Sequence, residues 1–84
     1  MSFSELYITD WCAGCHLALE KLKEANLDFE VVNISAEEAL HRAFKVWEYR
    51  LGYNPNTIPQ FWYHGEYIGG TKEIDKFLKE KNVN

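Results

Sequence analysis

At 84 residues, with a formal charge of -4, 46% hydrophobic and 15% aromatic residues, the chain is sized for one domain with a modest stability margin and is too apolar for a disordered segment. Acids and bases are interleaved, so no basic stripe suits nucleic acid and no polybasic run suits an anionic membrane. Met1-Ser2-Phe3-Ser4-Glu5 lacks the basic-then-apolar order of a secretory signal, and no run approaches bilayer-crossing length; the expectation is a single cytoplasmic domain over 1–84.

Phe3 to Thr9 is a short run of strand formers that stops at the polar Thr9-Asp10 pair, and it predicts a buried first strand. From Ala13 to Ala25 the apolar spacing turns helical, with Cys15, Ala18, Leu19, Leu22 and Asn26 on one face, and Asn26 suits the C-terminal cap. Leu27 to Ile34 alternates and then becomes fully apolar, which predicts a second strand covered on at least one side. Strand, helix, strand makes a βαβ unit.

Ser35-Ala36-Glu37-Glu38 reads as a capping box, Ser35 accepting from the Glu38 N–H while the Glu38 carboxylate reaches back. The helix it opens carries Ala36, Ala39, Leu40, Ala43, Phe44, Trp47 and Leu51 along one stripe, with Phe44 and Trp47 as core residues, and Gly52 stops it. Gly52 to Asn56 is a loop. Thr57-Ile58-Pro59 leads into the strand Gln60-Phe61-Trp62-Tyr63, and His64-Gly65 forms a two-residue turn into Glu66-Tyr67-Ile68. Gly69-Gly70 breaks that strand, Thr71 caps, and Ile74, Phe77 and Leu78 mark a short last helix that frays from Lys79 to Asn84.

The chemistry concentrates in Trp11-Cys12-Ala13-Gly14-Cys15-His16, where the only two cysteines stand at the first strand-to-helix junction. A thiol on the opening turn of a helix faces N–H groups with no intrahelical partner and the positive end of the dipole, which favours its thiolate. Two other uses share the pattern. Cys-x-x-Cys-His attaches c-type haem, with His16 as one axial ligand and Met1, His41 or His64 left to supply the other; paired cysteines also form half of a zinc site, but no second Cys or His pair stands at ligand spacing. In the βαβ context thiol–disulfide exchange fits best, with Cys12 as nucleophile and Cys15 as resolving thiol. Asp10 opposes thiolate formation, and a protonated His16 assists it. Trp11 adjoins the nucleophile and is placed to touch a substrate, whereas Trp62, Tyr63 and Tyr67 read as packing and His41 and His64 as solvent-facing.

Cys12-Ala13-Gly14-Cys15, Thr57-Ile58-Pro59-Gln60 and Gly65-Glu66-Tyr67-Ile68-Gly69-Gly70 resemble, in order and spacing, the landmarks of glutaredoxins, members of the thioredoxin superfamily. The resemblance runs from about Leu6 to Leu78. It implies an α/β thioredoxin fold, a four-stranded mixed sheet flanked by three helices in the order β-α-β-α-β-β-α. It also implies a dithiol oxidoreductase that reduces protein disulfides and glutathione mixed disulfides, with glutathione as donor and co-substrate. By resemblance Pro59 is cis and faces the cysteines, Thr57 and Ile58 pair with the cysteinyl part of glutathione, and Gly69, Gly70 and Thr71 lie beside its γ-glutamyl end. Lys72 and Arg50 are candidates for a glutathione carboxylate. The chain departs from that pattern in the Ala13-Gly14 spacer, in Thr9 where a lysine is common, and in Lys72 where an acidic or small polar residue is common; Trp11 before Cys12 resembles thioredoxin. The partners implied are glutathione and disulfide-containing proteins, possible substrates including ribonucleotide reductase, with the protein a monomer and no metal or haem expected. The alternatives are a thioredoxin-like reductant of ribonucleotide reductase served by thioredoxin reductase, and an iron–sulfur cluster-binding dimer.

Overall fold

The computed structural model describes residues 3–82, so the readings of Met1, Ser2, Val83 and Asn84 lie outside the described residues. Along the chain come β1 (Glu5–Ile8), α1 (Ala13–Glu24), β2 (Glu30–Asn33), α2 (Glu37–Leu51), β3 (Gln60–Tyr63), β4 (Glu66–Gly69) and α3 (Thr71–Asn82), the expected order of a thioredoxin fold. The sheet order is β2-β1-β3-β4, with β1 parallel to β2 and antiparallel to β3, and β3 antiparallel to β4. No helix among the described residues is long and apolar enough to cross a membrane.

Strand alternation sorts the core into two layers. Leu6, Ile8 and Phe61 point to the face shared with Cys15, Ala18 and Leu22 of α1 and Ile74 and Leu78 of α3. Tyr7 and Trp62 point to the other face, against Ile34 and the Ala43 and Trp47 stripe of α2. Phe44 packs onto that stripe, and Trp47 is fully buried with edge-on contact to Tyr7, so both are core residues as their spacing predicts. Trp62, Tyr63 and Tyr67 are packing residues too, stacked among Phe61, Phe77 and one another.

Several local expectations are corrected. The second strand is shorter than 27–34, and Val31 is exposed, because β2 is an edge that pairs only with β1. Leu27 and Phe29 still pack on the α1 and α3 layer from outside the strand. Asn26 is exposed rather than on the buried face; with φ 61 it turns the chain directly after the α1 cap, Ala25. The Ser35–Glu38 capping box does not form: Ala36 is the N-cap and makes no side-chain bond, since Ser35 Oγ accepts the Asp10 N–H at 2.8 Å instead. Gly52 ends α2 as expected, in the left-handed conformation at φ 81. His64 and Gly65, at φ 52 and 81, make the tight turn of the hairpin. Gly69 remains within β4, and Thr71 is the first residue of α3 rather than its cap. The last helix runs twelve residues, through Asn82.

Candidate redox site

Cys12 is the N-cap of α1, in extended conformation, and its Sγ accepts the Cys15 N–H at 3.0 Å. A sulfur there takes up one of the orphan donors of the first turn, so negative charge on it is stabilised by that bond and by the helix dipole. The structure joins Cys12 to Cys15 in a disulfide, with their Cα atoms 5.2 Å apart. Cys12 is half-buried while Cys15 is fully buried in the α1 and α3 layer, so attack from solvent reaches Cys12. Cys12 Sγ also lies 3.8 Å from the carbonyl of Ile58, within reach of a thiol donor.

That carbonyl belongs to the Thr57–Pro59 segment, whose Ile58–Pro59 bond is cis as expected. The segment is held from below by buried Gln60. Its Nε2 donates to Thr57 O at 3.0 Å and Thr57 Oγ1 at 2.8 Å, and its Oε1 accepts from Tyr67 Oη at 2.5 Å. Burial, with Tyr53 and Glu73 nearby, pushes the Tyr67 hydroxyl up to about 12, so it stays protonated and remains a donor at neutral pH. A groove of about 240 Å³ runs between Thr57, Ile58 and Pro59 on one side and Gly70, Thr71, Lys72 and Glu73 on the other.

Of the sequence-predicted residues, Thr57, Ile58, Pro59, Gly70, Thr71 and Lys72 therefore line one groove beside Cys12, and three others stand outside it. Trp11 is 69% exposed, beside the nucleophile but outside the groove. Arg50 is elsewhere: its guanidinium pairs with Glu5 at 3.2 Å and lies over the rings of Phe3 and Trp62 on the α2 side of the sheet. It is an anchor for α2, not a groove residue, because a cation on the last turn of α2 finds Glu5 across the sheet face. Gly69 lies at the end of β4, buried, and opens the turn into the groove wall rather than lining it.

Three features escape the linear reading. Asp10, expected to oppose the thiolate, has its carboxylate engaged by Asn33 Nδ2 at 2.8 Å, and Asn33 Oδ1 in turn accepts the Ser35 N–H at 2.9 Å. His16 meets the Asp10 carbonyl at 3.2 Å. Together these bonds tie the loop before Cys12 to the end of β2. The Gln60–Tyr67 pairing and the inward fold of Glu73, whose Oε1 accepts the Gly70 N–H at 2.9 Å, are the others. Gly-Thr-Lys-Glu, with a glutamate three residues after a possible N-cap, was the available signal for the last. Gly14 faces the start of α3: a Cβ there would sit 3.4 Å from Thr71 Cγ2, an ordinary contact. Among the described residues no group of three or more His, Cys, Asp or Glu side chains could hold a metal ion.

The glutaredoxin family model matches residues 5–68 of this chain. A probable glutaredoxin of Acanthamoeba polyphaga mimivirus is 30% identical over 79 residues, spanning 87% of this chain and 74% of that protein. Glutaredoxin 1 from Francisella tularensis superposes with a TM-score of 0.78 at 19% identity, covering 100% of both chains. A buckwheat glutaredoxin solved with glutathione superposes with a TM-score of 0.79 at 12% identity, over 98% of this chain and 73% of that one. At such identities the two solved structures bear on the fold.

Proposed function

Because the chain belongs to the glutaredoxin family, whose activity is thiol–disulfide exchange, we propose that it is a dithiol glutaredoxin using glutathione to reduce glutathione mixed disulfides and protein disulfides. The observation that carries this reading is the asymmetry of the pair: Cys12 caps α1 and accepts the Cys15 N–H, while Cys15 is buried behind it. The Cys12 thiolate attacks one sulfur of the substrate disulfide, forming a mixed disulfide and expelling the other half as a thiolate that takes a proton from solvent. Cys15 then loses its proton and attacks Cys12 Sγ, closing the Cys12–Cys15 bond and releasing the second thiol. The substrate has gained two electrons and two protons. Two molecules of glutathione restore the dithiol and leave as glutathione disulfide.

The groove supports glutathione as the ligand. It begins beside Cys12 with the Thr57 and Ile58 backbone and ends at Gly70, Thr71 and Lys72, where a cation and the start of α3 suit a carboxylate. Gln60 and Tyr67 hold the first of these walls in place. The protein works as one cytoplasmic domain and a monomer in this reading. Reduction of a small mixed disulfide coupled to NADPH through glutathione and glutathione reductase tests it. Turnover there and little with thioredoxin reductase in their place is the expected result. Turnover only with thioredoxin reductase would instead assign the chain to the thioredoxin-like reductants.

A further inference from the structure

A second hollow, of about 120 Å³, lies between α1 and α3, and it shares Thr71 with the groove beside Cys12. Its floor is the buried pair Ala18 and Ile74. Leu17 borders it from α1, and the ion pair of Lys21 Nζ with Asp75 Oδ1, at 2.9 Å, spans the two helices at its edge. Gly14, which stands between the two bonded cysteines, lines it as well. Leu17 is 56% exposed. Single exposed apolar side chains are common, but this one borders an apolar floor that opens toward the redox pair.

Size and position say what fits. An apolar cavity of roughly 150 Å³ accepts benzene, so this hollow is sized for one aliphatic side chain. Leu17 lies about 7.5 Å beyond Cys12 along α1, a span of about two or three residues of extended chain. A polypeptide bonded through its cysteine to Cys12 therefore carries a side chain within reach of the hollow. We infer that the hollow is a subsite for protein substrates, taking an aliphatic side chain two or three residues from the reacting cysteine, with Leu17 as its specificity-determining wall. Glutathione has no side chain to place there, since only a glycine and a γ-glutamyl group flank its cysteine. The inference rests on the proposed exchange reaction at Cys12 and adds to it a preference among protein disulfides.

The test is a single-turnover reaction of the fully reduced protein with symmetric disulfide dimers of a short uncharged peptide. Each turnover closes the Cys12–Cys15 bond and releases two peptide thiols, whose appearance reads the rate. Leucine is placed two or three residues before or after the peptide cysteine, with serine at the same places as reference. The wild type is expected to reduce at least one leucine peptide about five-fold faster than its serine reference at subsaturating concentration, a gain below that of an enclosed apolar pocket. Leu17→Gln should lose most of that gain and Leu17→Met should keep it, while both reduce glutathione disulfide at the wild-type rate. Equal rates for all peptides in the wild type, or a leucine preference undiminished in Leu17→Gln, would overturn the inference and leave the proposed reaction standing. An equal fall for peptide and glutathione disulfides in Leu17→Gln would overturn it too, since that reports the reactivity of Cys12. A wild type that reduces none of these disulfides would refute the exchange reaction itself, and the subsite with it.

Discussion

Cys12→Ser is expected to lower disulfide reductase activity to the uncatalysed background, whereas Cys15→Ser still attacks and stops at the mixed disulfide. The reason is positional. Serine at the N-cap keeps the cap, because a hydroxyl accepts from the first turn as readily as sulfur, so α1 folds and only the nucleophile is lost. At position 15 the side chain is fully buried beside Ala18 and Ile74, so its loss leaves attack at Cys12 intact and removes the group that expels the bound substrate thiol. Mass spectrometry of Cys15→Ser after exposure to a disulfide should find the substrate attached at Cys12. Retained activity in Cys12→Ser together with loss in Cys15→Ser would reverse the assigned roles.

Phe61→Ala is expected to unfold the protein or bring it close to unfolding at room temperature. Phe61 is fully buried at the centre of β3, under Phe29, Tyr63 and Phe77, in the layer that also holds Cys15. Truncating a buried phenylalanine costs about 3–5 kcal/mol in lost transfer energy and cavity. A domain of this length holds roughly 4–13 kcal/mol in all, so the loss consumes a large share of it. A chemical denaturation curve reads the effect as a fall in midpoint at nearly unchanged slope. A midpoint within the error of the wild type would show that this layer is not the core the fold depends on.

The fold was legible because its signals are periodic and local. Helical spacing placed Ala18 and Leu22, Trp47 and Ala43 on their buried faces, and two adjacent residues able to take positive φ, His64 and Gly65, marked the hairpin. Boundaries failed where a distant residue competes for a local group. Ser35 had every local reason to cap α2, but the Asp10 N–H, twenty-five positions away in sequence, takes its hydroxyl. The exposure of Val31 is not legible in the same way, because an apolar run does not say whether a strand is central or an edge. At the site, the cysteines and Thr57 to Pro59 stood out as motifs. Arg50 was misplaced because a cation near a helix end says nothing about which carboxylate the sheet brings to it. Gln60 and Asp10 act through partners that only the folded chain supplies, the first in the hairpin and the second on β2, whereas Glu73 bonds Gly70 three residues before it.

The N-terminal end of α1 is expected to activate Cys12 and not Cys15. Alkylation of the fully reduced protein with a limiting amount of iodoacetamide, at a pH below the ordinary thiol range, followed by peptide mapping, tests it most directly. Modification at Cys12 faster than at a free cysteine, with Cys15 untouched until the protein is unfolded, is the expected result. Equal labelling of both, or labelling at Cys15 first, would contradict it.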